Sequence, residues 1–242
     1  PGAIAKMDAP SLRQALDEDQ FDNPALPALA AVVRRYEIPR RYLFDVISGV
    51  EADLDPQTYE TFPQLADYCY HVAGAVGLCC IHIWGFRDAR AVDSAIDCGT
   101  AFQLTNILRD LGEDSAMNRV YLPREDLERF EYSAGDLAAH CRDARFESLM
   151  RFEVDRAREY YRRAEELFDH LERPGRAIYA AMLRIYGGLL SEIERRRYDV
   201  FSQRVTLPRR RKLFAVARAV ARHRWLGRIV PASSRKPPMV SK

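Results

Sequence analysis

The chain has 242 residues, of which 48% are apolar and 30% charged, and its formal net charge is +2. This balance is typical of a folded globular domain and excludes a disordered chain. No apolar run approaches the roughly 18 residues that a membrane span needs, and the first residues lack the pattern of a secretion signal.

The five cysteines are odd in number and show no C-x-x-C spacing, which indicates neither a disulfide framework nor a zinc site. Reduced thiols of this kind favour a cytoplasmic location.

Apolar residues recur at helical spacing from residue 25 to about residue 226, and no alternating strand pattern occurs. We expect one helical domain over 25–226, a weakly determined segment over 1–24, and a basic tail over 227–242 with the composition of a disordered segment. The predicted helices cover, in chain order, 25–36, 40–54, 64–84, 88–114, 124–130, 144–171, 177–198 and 209–225. Short turns join them, which predicts an all-α bundle around a central cavity.

The predicted helix 64–84 is apolar on nearly all sides and rich in Gly and Ala, so we expect it to be buried. Its small residues fit two interpretations equally well: close packing of helices, or a wall against which a ligand lies. Asp45 and Asp53, on the preceding helix, provide a polar face.

Four polar residues form a stripe on the predicted helix 88–114: Gln103, Asn106, Asp110 and Asp114. At spacings of three, four and four residues, their side chains fall within roughly 80° of one another. One interpretation is a solvated acidic face with Arg109 as a local partner. The other is a carboxylate pair that holds Mg²⁺, which prefers oxygen ligands and is commonly shared with substrate phosphates. The two amides favour the second interpretation.

No acidic residue follows Asp199, while Arg and Lys recur to the end of the chain. The basic run 209–212, followed by Leu213, Phe214 and Trp225, suggests peripheral contact with an anionic membrane surface, such as the inner face of the cell membrane. A nucleic acid partner is not expected, because no aromatic platform or recognition motif accompanies the basic residues.

Three blocks occur in a fixed order: YCYHVAGAVG at 68–77, QLTNILRDLGED at 103–114 and NRVYLP at 118–123. Together they resemble the squalene/phytoene synthase family, and the similarity runs from about residue 26 to about residue 217. The resemblance implies an isoprenoid-synthase-type helical bundle that joins two farnesyl or geranylgeranyl diphosphates head to head through a cyclopropyl diphosphate. It also implies Mg²⁺, or alternatively Mn²⁺, as the cofactor, with NADPH only if the product is squalene. Substrate length and product stay open.

The resemblance also assigns roles to individual residues. Asp110 and Asp114 match the family's second aspartate-rich motif and would ligate the metal ion, with Arg109 beside the diphosphates. The remaining positions that it implies to be substrate-binding are Tyr68, Val72, Val76, Gly77, Gly99, Gln103, Asn106, Tyr186 and Arg204.

One feature departs from the family pattern. The family has a first D-x-x-x-D motif on an earlier helix, and no such motif precedes Leu26. The resemblance therefore implies a chain that starts just downstream of that helix and supplies half of the metal site. The alternative to an enzyme is a non-catalytic isoprenoid-binding or assembly subunit, or an inactive fragment.

Overall fold

The structure is a computed structural model that describes residues 26–54 and 58–225, together with Pro10, Arg13 and Gln14. Except for those three residues, the predicted segment 1–24 lies outside the described residues, as does the predicted tail 227–242.

The described residues confirm the all-α prediction. They contain no β-sheet, and their two isolated β-bridges join Thr58 to Val120 and Phe86 to Leu171. The α-helices and their bounds are α1 (Leu26–Arg35), α2 (Arg40–Ala52), α3 (Phe62–Cys69), α4 (Ala75–Trp84), α5 (Ala91–Ala116), α6 (Arg124–Arg129), α7 (Ala134–Ala138), α8 (Ala144–Ala164), α9 (Leu167–His170), α10 (Arg173–Arg195) and α11 (Arg209–Trp225).

Helix α5 lies at the centre of the bundle and contacts α4, α8 and α10. Its C-terminal half contributes Leu104, Ile107, Leu108 and Leu111 to one buried cluster, which α8 completes. Its N-terminal half packs into a second cluster with residues of α1, α2, α4, α9 and α10. The polar stripe therefore lies on a helix that the core holds on its other sides.

The predicted helix 64–84 follows one path but is not a uniform α-helix. A π-helical turn, Tyr70–Gly74, joins α3 to α4. Helix α5 crosses this turn so closely that a Cβ at Gly99 would lie 2.5 Å from the backbone nitrogen of Gly74. Only glycine permits this backbone approach.

The predicted helix 144–171 is divided into α8 and α9. It begins as expected, because the Asp143 side chain accepts hydrogen bonds from the backbone N–H groups of Arg145 and Phe146. After Ala164 the N–H groups of Glu166 and Phe168 bond three residues back rather than four. This tighter turn interrupts the α-helix.

A charged cluster of Asp126, Glu153 and Arg156 is buried between α6 and α8. Arg156 donates to both Asp126 carboxylate oxygens, at 2.7 and 3.1 Å, and to Glu153 Oε2 at 2.8 Å. The Glu153 side chain is 1% exposed. Burial, and then the neighbouring Asp126 charge, raise the pKa of Glu153 to about 8 against the opposing effect of Arg156.

Candidate active site

The four residues of the predicted stripe share one half-buried face of α5. Asn106 Nδ2 donates to Gln103 Oε1 at 3.4 Å, and Asp110 and Asp114 follow toward the C-terminal end. Each of the four is partly shielded from solvent. This burial disfavours the interpretation of the stripe as an ordinary solvated acidic face.

Two arginines neutralise Asp110. Arg109 Nε donates to Asp110 Oδ1 at 2.8 Å, and its Nη2 contacts Oδ2. Arg204, 94 residues farther along the chain, donates through Nε to Oδ1 at 2.9 Å and through Nη2 to Oδ2 at 3.1 Å. Burial alone would raise the pKa of Asp110, but the two arginines outweigh it and hold that pKa below its usual value.

Asp114 has the opposite electrostatic balance. Burial, and then the charge of Asp110 one turn away, raise the pKa of Asp114 to about 6, although Arg119 opposes the shift. Among the described residues, no ion pair within 4.0 Å involves the Asp114 carboxylate. A cation between Asp110 and Asp114 would relieve their repulsion.

These donors fit a divalent metal that shares its coordination sphere with a substrate. Within the described ranges, no group of three or more His, Cys, Asp or Glu side chains is arranged to hold a metal ion. The donor set is instead a carboxylate pair with two amides beside it. Mg²⁺ is commonly bound through one or two carboxylates and completed by water and phosphate oxygens.

An apolar cavity of about 220 Å³ continues from the amide end of the stripe. Seven of the predicted substrate-binding residues line it: Val72, Val76, Gly77, Gly99, Gln103, Asn106 and Tyr186. Both interpretations of the Gly- and Ala-rich helix therefore hold, since its Gly74 packs against the backbone of α5 at Gly99 and its Gly77 lines the cavity. The rings of Phe102 and Tyr186 stack at 4.3 Å between centroids and form an aromatic wall.

The cavity also has lining residues that sequence reasoning did not assign. They come from four helices and include Cys80, Ile81, Trp84, Ala95, Cys98, Phe102, Leu167, Tyr179 and Met182. In the sequence each is an ordinary apolar or small residue at helical spacing, and no signal separates it from the core.

Tyr68 does not line this cavity, contrary to the expectation of a place in its wall. Its ring stacks on Tyr121 at 5.3 Å and packs against Tyr59 at 5.5 Å. Its hydroxyl donates to Asp53 Oδ1 at 2.7 Å. The ring is 6% exposed because this aromatic cluster covers it.

The loop after α5 brings that cluster to the stripe. Asn118 adopts a left-handed conformation with φ 56°, and the Arg119 N–H donates to the Asp114 carbonyl at 2.9 Å. The Arg119 guanidinium donates to the Asp53 carbonyl at 3.2 Å. Sequence reasoning noted Asp53 and the 118–123 block but assigned a role to neither Asp53 nor Arg119.

In the described part of the chain, no helix is both long and apolar enough to cross a membrane.

Comparisons with known proteins agree with this arrangement. A family model for squalene/phytoene synthase matches residues 1–211. The 15-cis-phytoene synthase of Synechocystis sp. is 41% identical over 198 residues, which cover 77% of this chain and 59% of the relative. The 15-cis-phytoene synthase of Synechococcus elongatus is 38% identical over 207 residues, which cover 81% of this chain and 67% of the relative.

Solved structures give the same result for the fold. A dehydrosqualene synthase in complex with ligand is similar with a TM-score of 0.80 and 28% identity, covering 90% of this chain and 78% of that one. The squalene synthase HpnC from Alicyclobacillus acidocaldarius is similar with a TM-score of 0.70 and 27% identity, covering 77% of this chain and 71% of that one. The chain thus spans about three fifths of the Synechocystis relative, and it belongs to the squalene/phytoene synthase family.

Proposed function

We propose that the protein joins two allylic isoprenoid diphosphates head to head through a cyclopropyl diphosphate intermediate, with release of pyrophosphate. One observation carries the proposal: a single stripe on α5 leads from an apolar cavity to a carboxylate pair with arginines beside it. Ionisation of an allylic diphosphate creates a carbocation and an anionic leaving group, so a site of this class needs both environments.

Geranylgeranyl diphosphate is the substrate that we propose, because the relatives at 38–41% identity are named 15-cis-phytoene synthase. Farnesyl diphosphate is the shorter alternative, given the likeness to a dehydrosqualene synthase. Neither proposal requires NADPH, which would enter only if the product were squalene.

The polar end would hold the diphosphate. Asp110 and Asp114 would ligate Mg²⁺, or Mn²⁺ in its place, and the bound metal ion would neutralise the charge that develops on the departing pyrophosphate. Arg109 and Arg204 already neutralise Asp110 and lie where they can also bind phosphate oxygens. Gln103 and Asn106 would provide uncharged polar contacts where the isoprenoid chain begins.

The apolar end would hold the isoprenoid chains and exclude water. Val72, Val76 and Gly77 supply one wall, and the stacked Phe102 and Tyr186 rings supply another. Aromatic faces stabilise nearby cations electrostatically, so these rings would shield the allylic cation until the second substrate's double bond attacks it.

The test is turnover of geranylgeranyl and farnesyl diphosphates by the full-length protein with Mg²⁺, followed by product mass and pyrophosphate release. Asp110→Ala is expected to lower turnover by about 100-fold or more. The matched control is Asp97→Ala on the same helix, where Asp97 lies 3.7 Å from Arg163 and away from the stripe. Unchanged turnover in Asp110→Ala would remove the assigned role of the stripe.

We also propose that α11 contacts an anionic membrane surface peripherally. Its Ala219 is buried against Ala180 and Ala181 of α10, and Ala215 is buried as well. Leu213 and Phe214, which are 70% and 66% exposed, lie roughly 100° or more away from those alanines around the helix. The basic run 209–212 at the start of α11 complements anionic lipids. The Trp225 side chain lies outside the described part.

Co-sedimentation with vesicles tests this contact. Binding is expected to vesicles that contain phosphatidylglycerol but not to pure phosphatidylcholine, and it should weaken when residues 209–212 are replaced by Gln. Neutralising Arg90 and Arg162, which are exposed but paired with Asp88 and Glu159, serves as the control. Equal loss in both variants, or no binding at all, would contradict the proposal.

A further inference from the structure

Two tyrosine–aspartate pairs join α2 and the residue that follows it to the helical path 62–84. Tyr68 Oη donates to Asp53 Oδ1 at 2.7 Å, and Tyr70 Oη donates to Asp45 Oδ2 at 2.5 Å. The two pairs use the same residue types and link the same part of the bundle. If their only purpose were to hold helices together, they would be equivalent.

The surroundings of the Asp53 pair connect it to the candidate active site. The Asp53 carbonyl accepts from Arg119, and the Arg119 N–H donates to the Asp114 carbonyl at 2.9 Å. Tyr121, which stacks on Tyr68, has its pKa raised by burial and then by the charges of Asp53 and Asp114. Asp53 and Asp114 therefore both act on Tyr121, and Tyr68 lies against the same ring.

The same helical path continues from Tyr68 to Val72, four residues later, which lines the cavity. Tyr68 itself is covered by the aromatic cluster, and its ring stacks on Tyr121 of the loop that carries Arg119. Donation to Asp53 fixes the rotation of the Tyr68 hydroxyl, and the lone pairs of the oxygen then point away from Asp53. Burial, followed by the hydrogen bond to Asp53, raises the pKa of Tyr68, which keeps the phenol protonated.

The Asp45 pair has different neighbours. Arg41 and Tyr42 of α2 lie close to it, and their charges interact with Asp45 and Tyr70. The Tyr70 ring packs edge-on to His71 at 5.1 Å. Among the described residues, no hydrogen bond or ion pair connects Asp45 with the stripe on α5.

We propose that Asp53 is a positioning residue for the reaction proposed above: its carboxylate fixes the direction of the Tyr68 hydroxyl, and its carbonyl fixes Arg119 beside Asp114. Because this inference rests on the proposed function, its test compares Asp53 with Asp45 in a protein whose wild type turns over. Asp53 acts through two neighbours: Tyr68, whose ring stacks on Tyr121 of the loop after α5, and Arg119, whose N–H donates to the Asp114 carbonyl.

The experiment measures kcat and KM for geranylgeranyl diphosphate in the full-length protein. Asp53→Ala and Tyr68→Phe are each expected to lower kcat about 10- to 100-fold, the scale of a misplaced active-site group, with little change in KM. The double variant should lose no more than the worse single variant, because both changes remove one interaction. Asp53→Asn retains an acceptor for the Tyr68 hydroxyl and is expected to recover most of kcat.

Asp45→Ala is the matched control, because it removes the equivalent hydrogen bond between the same parts of the bundle. Its kcat is expected to stay within about twofold of wild type, while its unfolding midpoint falls as far as that of Asp53→Ala. Equal kcat losses in the two alanine variants, multiplicative losses in the Asp53 and Tyr68 double variant, or an Asn variant as impaired as Asp53→Ala would overturn the inference. A wild-type protein that releases no pyrophosphate would overturn the proposed function and this inference together.

Discussion

The molecule contains two clusters in which arginine meets a pair of carboxyl groups, and they differ in whether both carboxyl groups are bound by arginine. In the core, Arg156 binds both Asp126 and Glu153, and Phe62 and Phe152 cover its guanidinium at 4.1 and 4.6 Å. On α5, two arginines bind Asp110, whereas among the described residues no ion pair within 4.0 Å involves Asp114. We call the core cluster closed, because its arginine binds both carboxyl groups. We call the α5 cluster open, because its Asp114 carboxylate can still bind a ligand.

The largest effect is expected when the closed cluster loses its cation. Arg156→Met leaves the buried carboxyl groups of Asp126 and Glu153 without the cation that binds both, so we expect a loss of about 3–5 kcal/mol in the free energy of unfolding. Urea denaturation measures it. Arg158→Met on the same helix, where Arg158 is half exposed and bonds to Glu194, should cost less than about 1 kcal/mol. Similar losses in the two variants would contradict the distinction between a closed core cluster and a surface pair.

The second largest effect is expected in the open cluster, where a substitution should lower activity without lowering stability. Asp114→Asn removes a charge that Asp110 repels, so the unfolding midpoint should stay constant or rise. Turnover should nevertheless fall by about 100-fold, because one of the two proposed metal ligands is weakened. Turnover with varied Mg²⁺, together with thermal unfolding, checks both parts. A variant that is less stable and fully active would reverse the roles assigned to the two clusters.

A smaller effect is the pH dependence of the closed cluster. The folded-state pKa of Glu153, about 8, lies above its unfolded-state value, so the folded state binds more protons between the two values. The contribution of Glu153 to the free energy of unfolding is therefore fully present at low pH and is lost as pH rises through about 8. Its slope is at most about 1.4 kcal/mol per pH unit. Glu153→Gln should remove this slope in urea titrations at pH 6 to 9, and an unchanged slope would assign it to another group.

The smallest effect is expected from the exposed partner of the open cluster. Arg204 has a side chain that is 48% exposed, so Arg204→Gln should change the free energy of unfolding by less than about 1 kcal/mol. Urea denaturation of Arg204→Gln and Arg156→Met under the same conditions compares their free energies of unfolding directly. A loss as large as that of Arg156→Met would mean that the Asp110 cluster is as essential to folding as the core cluster.

The sequence predicted what local periodicity determines. The stripe from Gln103 to Asp114 follows from spacing on one helix, and the helical fold follows from apolar periodicity. The family resemblance implied a substrate-binding role for Arg204, but its contact with Asp110, 94 positions away, was not predicted. The Asp53–Tyr68 bond and the cavity residues Trp84 and Tyr179 depend on how helices meet, which no single segment encodes.

The π-helical turn at Tyr70–Gly74 determines how the aromatic cluster around Tyr68 is rotated relative to the cavity wall at Val76. A π turn holds one more residue than an α turn of the same path, and one residue corresponds to a rotation of roughly 100°. Tyr68 precedes this turn and Val76 follows it. Deleting a single residue here would restore an ordinary helix and turn the tyrosine cluster about a quarter revolution out of alignment with the cavity wall. The extra residue thus sets the rotation that directs Tyr68 into the aromatic cluster and Val76 into the cavity wall.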